Sequence, residues 1–567
     1  MGRWLVLLAL LLLATFGAFF PVLRAEFTNW DDPMYVLENP LVRSLDGANL
    51  GRIFSTDTTV AGNYHPLTIL SFAIEHAIAG EQPWLYHLDN LVLHLVNTAL
   101  VFLLVLLLFR VPLAALVAAA LFALHPQNVE SVAWVSERKG LLYVGFFLAS
   151  LASYVRHLDR TERGEPFPRY LILSLLLFLC SLLSKGTAVP LPVVLLLIDW
   201  YRGRRFSSRL LLEKIPFFLL SFVFGFLALH AQESADAIKT GGYSLLFSFS
   251  AANVALLTYL GRFVAPIHQA CFHPYPELTG TFEKIAFYGS PALVLLIAVL
   301  LFLSLRRTRL LMFGAAFFLL TVALVLQLLP VGNAITADRY TYLPYVGLFS
   351  VIACGAAAWV RRWPALSRPA LVLFLLVLAA LDTLTFQRCQ VWRTTEALWT
   401  DVIARQPGSA IAFNSRGVAR LAKGDFNLAL QDFDQAIRIN PAFLDPYNNR
   451  GAVRMALQQY EQAFLDFDLC VRKNAGFFAA YLNRGQAEHH LGRHEAAVRD
   501  LTVAIERRSG DGSAYNYRAR SFAELGRYAQ ALADARRAET LDVEGSRQLV
   551  LDLEELLRDP AGGHFPR

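Results

Sequence analysis

Long apolar segments follow one another through the first 387 residues, and no other feature of the sequence constrains the fold as strongly. Residues 4–23 are twenty mostly apolar positions, enough for one helix to cross a bilayer. The chain is 56% hydrophobic and 17% charged, with a mean hydropathy of +0.44, so it is too apolar for an ordinary soluble protein of 567 residues. Residues 388–567 are instead mixed, charged and rich in alanine. The sequence therefore predicts a membrane domain over 1–387 and a soluble domain after it.

The basic residues indicate how the chain crosses the membrane. The isoelectric point of about 9.0 is compatible with nucleic-acid binding. However, the arginines cluster in short gaps between apolar segments, at 156–169, 202–209, 306–309 and 361–368. An excess of arginine in short loops marks the cytoplasmic side of a membrane protein. We therefore expect the membrane as a partner and no nucleic acid.

The arginine positions predict eleven spans with an extracytoplasmic C-terminal domain. The first apolar segment is longer than the apolar core of a typical signal peptide and lacks a clean small-residue cleavage site, so a retained helix is predicted. Residues 24–87 then form a large external loop, and residues 244–266 lie as a helix in the outer interface. The remaining predicted spans are 88–109, 112–127, 140–156, 170–184, 187–201, 212–231, 284–305, 310–329, 341–360 and 369–387.

Polar motifs that are not arginine-rich all fall on the predicted outer side. Ionisable groups at membrane depth are costly, so their convergence on one face indicates a functional site. Asp31 and Asp32 stand where the first span ends, and paired carboxylates there suggest general-base chemistry on a membrane-borne substrate. The alternative is a solvated loop with two acids. The motifs are NWDD (29–32), GNYHPL (62–67), YHLDNLVLH (86–94), HPQNVESVAWVSERKG (125–140), SKG (184–186) and NAITADRYTYLP (333–344).

The C-terminal part repeats with a period of 34 residues. Gly417, Gly451 and Gly485 recur at this spacing, and an alanine ladder and an aspartate ladder follow the same period. Small residues at fixed offsets let two antiparallel helices approach closely, which is typical of tetratricopeptide repeats (TPRs). Residues 388–409 are predicted to be a connecting partial repeat, 410–545 four TPRs, and 546–567 a capping helix and tail.

One position of the repeat is mostly asparagine. It holds Asn414, Asn448 and Asn516, with Leu482 interrupting the series. An asparagine ladder in a TPR groove could hydrogen-bond the backbone of a peptide whatever its sequence. The alternative is that these asparagines only tolerate a tight helix start. The first interpretation predicts a protein or peptide acceptor bound by the repeats.

The polar motifs, in this order, resemble those of the transmembrane-and-TPR O-mannosyltransferases, including their bacterial relatives. The resemblance implies an all-α fold, with a membrane domain of the type C glycosyltransferase fold followed by a TPR solenoid. It implies transfer of a sugar, typically mannose, from a polyprenyl-phosphate carrier to Ser or Thr hydroxyls of proteins, with inversion. A bacterial inner membrane is the expected location, or the endoplasmic reticulum membrane in a eukaryote, with extracytoplasmic TPRs.

The resemblance also suggests roles for individual residues. Asp31 or Asp32 would take the acceptor proton, with Glu130 in support. The candidates for binding the donor phosphate are Arg339, Lys185, Arg138 and Lys139, and the candidates for contacting substrate are Tyr340, His65 and Asn63. Each has a structural alternative: His65 could be a buried structural histidine, Arg138 and Lys139 a solvated helix start, and Arg339 an ion-pair partner of Asp338.

No cofactor is required on this interpretation. The five cysteines lack CxxC spacing, and the chain has no HExxH motif. A divalent cation held by Asp31, Asp32 and Glu130 stays open as an alternative. Two other functions also stay open. One is a non-catalytic, membrane-anchored TPR scaffold for envelope assembly, and the other is the same fold acting with another sugar or a glycan acceptor.

Overall fold

The structure is a computed structural model that describes residues 2–165, 168–234, 244–267, 269–276, 278, 280–326, 328 and 334–558. It divides into two compact units, Met1–Arg405 and Gln406–Arg567, named here the membrane unit and the repeat domain. The described residues are mainly helical with almost no sheet, which confirms the predicted all-α class. Asn333 of the last polar motif and the tail 559–567 lie outside the described residues.

The membrane unit contains sixteen α-helices, several short 3-10 turns and one short antiparallel strand pair in the described residues. The strands are β1 (His273–Pro274) and β2 (Ala334–Thr336), with His273 opposite Thr336. The helices are α1 (Gly2–Phe19), α2 (Gly47–Phe54), α3 (Pro66–Ala79), α4 (Pro83–Phe109), α5 (Pro112–Leu124), α6 (Val129–Ala133), α7 (Arg138–Glu162), α8 (Pro168–Ser184), α9 (Leu191–Tyr201), α10 (Ser208–Ser234), α11 (Leu245–Val264), α12 (Thr281–Ser304), α13 (Leu310–Val322), α14 (Tyr345–Arg362), α15 (Ser367–Val391) and α16 (Thr395–Arg405).

Seven helical segments of the described residues are long and apolar enough to cross a membrane, or eight if a bent pair at 112–133 counts as one span. The chain is thus a multi-pass membrane protein. Each of the eleven predicted spans coincides with a helix. Fewer than eleven are long and apolar enough to cross a membrane, because α8, α9 and α13 are short and α14 is not among the seven. The seven are Gly2–Arg24, Pro83–Phe109, Val135–Glu162, Ser208–Glu233, Leu245–Val264, Thr281–Ser304 and Pro364–Val391.

Helix α11 differs from the expectation in one respect. It was predicted to lie flat in the interface, yet its 20 residues meet the length and hydropathy needed to cross. If α11 crosses the membrane, the arginine-rich loop after α12 (306–309) lies on the extracytoplasmic side, against the positive-inside rule. The interfacial placement of α11 therefore stays a prediction. A reporter fused to the C-terminus tests the side of the membrane on which the C-terminus lies.

The predicted external loop 24–87 is folded around its own apolar cluster. Tyr35, Val36 and Phe72 are fully buried in this cluster, which also contains residues of α2 and α3. Proline occupies the first turn of α3 and of α4, where its missing N–H group costs nothing. The loop is therefore an ordered platform that can hold Asp31 and Asp32 in defined positions.

The membrane unit continues beyond the predicted boundary at 387. Helix α15 runs to Val391, and α16 packs with the rest of this unit, which ends at Arg405. Leu398, Trp399 and Val402 of α16 are buried. A repeat-like helix therefore belongs to the membrane unit by its packing.

The described part of the repeat domain, which ends at Arg558, consists of four antiparallel helix pairs and a final helix. Each pair lies within one predicted 34-residue repeat, and Gly417 packs so closely on Phe433 that a β-carbon there would lie 2.6 Å from the ring. Bidentate ion pairs join the two helices of each repeat, as from Arg450 to Asp466. The helices are α17 (Ala410–Ala422), α18 (Phe426–Ile439), α19 (Asp445–Ala456), α20 (Tyr460–Lys473), α21 (Phe478–His490), α22 (His494–Arg507), α23 (Gly512–Glu524), α24 (Tyr528–Glu539) and α25 (Ser546–Arg558).

Candidate functional site

A cavity of about 560 Å³ in the membrane unit gathers several of the predicted site residues. One part of its wall is polar and charged, whereas another part is apolar, with Val189, Phe224, Leu227, Leu324 and Val325. A cavity of this kind suits a ligand with an ionic head and a hydrocarbon chain. The predicted site residues on its wall are Asp31, Asn63, Lys139, Lys185, Arg339 and Tyr340.

Asp31 directs its carboxylate to this cavity. Its side chain is 23% exposed and forms an ion pair with Lys139, with 3.6 Å between Oδ2 and Nζ. Lys139 lies over the ring of Tyr35, 4.1 Å from its centroid, and Tyr35 also lines the cavity. Asp31 is therefore an accessible carboxylate held beside a cation.

Asp32 is buried and does not line the cavity. Its Oδ2 accepts hydrogen bonds from the backbone N–H of Thr28 at 2.7 Å and from the Thr28 hydroxyl at 2.9 Å. Its Oδ1 accepts from the backbone N–H of Ser136 at 3.0 Å and from the Ser136 hydroxyl. Burial raises the pKa of Asp32 above its ordinary value, although these hydrogen bonds oppose the shift. The two adjacent aspartates thus occupy different environments.

Three cations surround a carboxylate that the sequence analysis did not single out, Glu137. Its Oε1 lies 2.5 Å from Nζ of Lys185, and its Oε2 lies 3.8 Å from Nε of Arg339. Lys139 is the third cation on the cavity wall. Glu137 stands in the motif SERKG beside Arg138 and Lys139, so its position in that motif was the available signal.

Glu137 packs directly against Gly140, which has no side chain. A β-carbon at Gly140 would collide with Oε1 of Glu137. The residues on the cavity wall include three cations (Lys139, Lys185, Arg339) and two carboxylates (Asp31, Glu137), and the Glu130 carboxylate pairs with Arg339 from outside the wall. Three cations at one cavity provide binding groups for an anion.

Arg339 is oriented by contacts on several sides. Its Nη1 lies 2.5 Å from Oε1 of Glu130, and its guanidinium lies over the rings of Trp134 and Tyr340, 5.2 and 4.8 Å from their centroids. Glu130 is buried, accepts a further hydrogen bond from the backbone N–H of Asp338, and does not line the cavity. Glu130 therefore holds Arg339 in place but does not itself contact the cavity.

Two other predicted residues also lie away from the cavity wall. Arg138 is buried, pairs with Glu75 at 2.9 Å and donates to the carbonyl of Tyr86. His65 is buried and stacks on Tyr35 with 5.2 Å between ring centroids. Burial, together with Lys139 and Lys185, holds the pKa of His65 well below its ordinary value. Both side chains pack beside the site.

Tyr340 and Asn63 do line the cavity. The Tyr340 hydroxyl lies 3.5 Å from Nη2 of Arg339. Oδ1 of Asn63 accepts from Nε2 of Gln232, another residue of the wall, at 3.1 Å. Both side chains therefore place polar groups at the cavity wall.

The described residues contain no cluster of three or more His, Cys, Asp or Glu side chains that could hold a metal ion. In particular, Asp32 bonds to Thr28 and Ser136, while Glu130 bonds to Arg339. The three-carboxylate metal site considered from the sequence is therefore not formed in the part of the chain that the structure describes.

The predicted asparagines of the repeat domain contact neighbouring repeats. Oδ1 of Asn414 accepts from Nδ2 of Asn449 at 3.0 Å, and Oδ1 of Asn448 accepts from Nδ2 of Asn483 at 2.9 Å. Asn516 is buried, and its Oδ1 has no hydrogen bond within the described residues. Asn414 and Asn448 therefore link successive repeats, and peptide binding by the three asparagines stays a prediction.

Comparisons with known proteins place these features in context. A tetratricopeptide-repeat family model matches residues 393–442. The chain is 40% identical over 151 residues to the protein O-mannosyl-transferase Tmtc2 of Drosophila melanogaster, covering 26% of this chain and 16% of that protein. It is 34% identical over 192 residues to the protein O-mannosyl-transferase TMTC1 of Mus musculus, covering 32% of this chain and 20% of that protein.

The matched stretch thus spans a fifth or less of either relative's length, between 16% and 20%. Among solved structures, a crystal structure of YrrB, a TPR protein with an unusual peptide-binding site, is similar with 19% identity and a TM-score of 0.26, covering 33% of this chain and 91% of that one. MamA from Desulfovibrio magneticus RS-1 is similar with 16% identity and a TM-score of 0.23, covering 27% and 97%. The sequence similarities confirm the resemblance to the TPR-containing O-mannosyltransferases.

Proposed function

We propose that this protein is an inverting glycosyltransferase that moves a sugar, mannose in the first instance, from a polyprenyl-phosphate carrier to Ser or Thr hydroxyls of proteins. The observation that carries the proposal is one cavity with an accessible carboxylate, Asp31, a cluster of three cations and an apolar wall. The similarity to protein O-mannosyl-transferases supports the same reaction class.

Asp31 is the proposed general base. An alcohol is a weak nucleophile, so its proton must be taken as its oxygen attacks the anomeric carbon. The new bond joins the acceptor oxygen to this carbon while the bond to the phosphate oxygen breaks, and attack from the opposite face inverts the centre. Asp32 bonds to Thr28 and Ser136 and is assigned a supporting role. This division follows from the burial of Asp32 and the exposure of Asp31.

Lys139, Lys185 and Arg339 are the proposed binding groups for the donor phosphate. The leaving group is an anion whose charge increases as the glycosidic bond breaks, and preorganised cations stabilise that charge. Glu137 holds Lys185 and Arg339 in the cavity before the donor arrives. The apolar residues of the wall would accompany the first isoprene groups of the carrier.

The repeat domain is the proposed acceptor-binding part, and the active side is proposed to be extracytoplasmic. Both follow from the 34-residue repeats and from the arginine-rich gaps, which the positive-inside rule assigns to the cytoplasm. A bacterial inner membrane remains the proposed location. The non-catalytic scaffold is disfavoured because an anchor does not need a charged cavity.

The test uses purified full-length protein in detergent with a panel of labelled polyprenyl-phosphate sugars and Ser/Thr-containing acceptors. We expect transfer of one sugar with inverted configuration, and loss of transfer in Asp31→Asn. Asp57→Asn is the matched control, because Asp57 is an exposed carboxylate of the same loop. Transfer at the normal rate by Asp31→Asn, or no transfer by the unaltered protein from any donor, would contradict the proposal.

A further inference from the structure

Helix α16 resembles a TPR helix in sequence but packs within the membrane unit. The TPR family match begins at residue 393, before α16, and Trp399 and Val402 precede the equivalent Phe433 and Ala436 by one 34-residue period. Nevertheless, the compact membrane unit includes all of α16 and ends at Arg405. Arg388 of α15 pairs with Asp401 of α16 at 2.5 Å, which ties the helix to the last predicted span.

This helix bonds directly to the segment that carries the two aspartates. Nε1 of Trp399 donates to Oδ1 of Asn29 at 2.8 Å. The backbone N–H of Asn29 donates to the Thr395 hydroxyl at 3.2 Å, and the N–H of Glu26 donates to the carbonyl of Arg393 at 3.0 Å. The Thr395 hydroxyl also donates to the carbonyl of Phe27 at 3.5 Å, so four hydrogen bonds attach residues 26–29 to α16 and to the residues just before it.

Aromatic rings continue the contact from α16 to the cavity. Trp399 packs on Trp30 with 5.1 Å between ring centroids, and Trp30 packs on Trp134 with 5.2 Å. Trp134 lines the cavity and lies under the guanidinium of Arg339 at 5.2 Å. Trp399 is 2% exposed, so its ring is fixed by its surroundings.

Asp31 itself has few contacts that could hold it. In the described structure its carboxylate has one ion pair, at 3.6 Å to Lys139, whereas Asp32 accepts four hydrogen bonds. The position of the Asp31 carboxylate therefore depends on the backbone of residues 29–32. On one side this backbone is held by Asp32, and on the other by Asn29 and Trp30, which α16 contacts.

We propose that Trp399 is a positioning residue, which holds Asn29 and Trp30 so that Asp31 faces the cavity. The inference rests on the proposed function, since it assigns Asp31 the role of base. It adds that α16, a helix with a repeat-like sequence, is required for the geometry of the catalytic site. A near-attack geometry tolerates little displacement of the base, so loosening this contact lowers turnover without altering donor binding.

The test compares full-length Trp399→Phe with Arg405→Gln. Trp399→Phe removes the hydrogen bond to Asn29 and keeps an aromatic ring, whereas Arg405 is on the same helix and contacts Asp401. Amide hydrogen exchange reports on the segment 27–36 without any need for activity. We expect faster exchange there in Trp399→Phe, unchanged exchange in α3, and no change in either segment in Arg405→Gln.

Kinetics separate positioning from a purely structural role. We expect the kcat of transfer to fall about two- to tenfold in Trp399→Phe, the effect of one neutral hydrogen bond, with KM for the donor unchanged. In an Asp31→Asn background the same substitution should cause no further loss, because the base is already absent. Unchanged exchange at 27–36, or faster exchange with unchanged kcat, would overturn the positioning role.

The failure of the proposed function gives a different result. If the unaltered protein transfers no sugar, or if Asp31→Asn retains full turnover, the reaction or its base is wrong whatever Trp399 does. If Asp31→Asn is inactive and Trp399→Phe is normal in kcat, the proposed function stands and α16 is only a structural support.

Discussion

The ammonium of Lys185 lies 2.5 Å from Oε1 of Glu137, at the wall of a cavity that Asp31 and Arg339 also line. This pair joins the residue after α8 to the residue before α7, so two distant segments meet at one charged contact. A phosphate in the cavity would share Lys185 with Glu137. The donor would therefore bind to cations that are already held in place.

Substitution of Asp32 should differ from substitution of Asp31. Asn at position 32 replaces an acceptor oxygen by an NH2 group among four donors, and leaving a buried donor unpaired costs about 1–3 kcal/mol of stability. Asp31→Asn should cost less stability, because its side chain is 23% exposed and its one ion pair, to Lys139, is 3.6 Å long, and it should lower the transfer rate by about 10²–10⁴. Thermal unfolding in detergent and turnover are measured for both. Equal stability and equal rates in the two variants would contradict the assigned roles.

The substitution Glu137→Gln should lower the stability of the free protein and increase the additional stability that bound donor provides. Removing one partner of a buried ion pair costs up to about 3–5 kcal/mol, because Lys185 loses its counter-charge, whereas Arg339 keeps its ion pair with Glu130. An anionic ligand would then replace that charge, so polyprenyl phosphate should raise the unfolding temperature more than in the unaltered protein. Glu81→Gln, which removes an exposed ion pair with Arg43, is the control. A smaller thermal shift in Glu137→Gln would exclude phosphate from this cluster.

Arg339 should affect use of the donor more than use of the acceptor. Arg339→Lys keeps a charge but loses the planar contacts with Trp134 and Tyr340, and Arg339→Ala loses both. KM for the donor should rise several-fold in the lysine variant and more in the alanine variant, while KM for the acceptor stays constant. Arg24→Ala, which removes an exposed arginine, should change neither constant. Equal donor KM values in all four proteins would remove Arg339 from the phosphate site.

Fusions to alkaline phosphatase, which is active only outside the cytoplasm, test the orientation of the chain. The arginine-rich gaps place Arg205 inside and the C-terminus outside. A fusion after Arg567 should therefore be active, and a fusion after Arg205 should be inactive. Both proteins are quantified by immunoblot so that expression does not enter the comparison. The reverse pattern would place the cavity on the cytoplasmic side.

Removal of the repeat domain should lower transfer to proteins and spare the chemical site. A chain that ends at Arg405 keeps the complete membrane unit, including α16. It should bind donor and hydrolyse it slowly, while transfer to a whole protein falls. A chain that ends at Val391 also loses Trp399 and should lose the slow hydrolysis. Equal loss of donor binding in both truncations would make the repeats a structural support of the membrane unit.

The helices and the repeats were predictable because their signals are local. A bilayer requires about 20 apolar residues for a helical span, and this length can be counted in segments such as 4–23. Each TPR has a small residue where its two helices approach most closely, as at Gly417 against Phe433. The motifs also indicated which segments converge, since NWDD, SERKG, SKG and ADRY all contribute to the cavity wall.

The roles of neighbouring residues needed the tertiary structure. Arg138 and Lys139 are adjacent at the start of α7, yet one pairs with Glu75 and the other faces Asp31. Successive residues of a helix point about 100° apart, so a motif does not tell which of two neighbours faces the ligand. The same applies to Asp31 and Asp32, which were interchangeable in the sequence and differ in burial in the structure.

Helix α16 shows the same division between local and tertiary information. Its repeat spacing was visible in the sequence, because residue types at a fixed period reflect helix-to-helix packing. Its place beside Asn29 and Trp30 depends on contacts between residues about 370 positions apart, as from Trp399 to Asn29. The positions of the helices and repeats can be predicted from the sequence, since length and period are read along the chain. Which carboxylate, which cation and which helix meet at the cavity is visible only in the folded molecule, because those contacts join segments far apart in sequence.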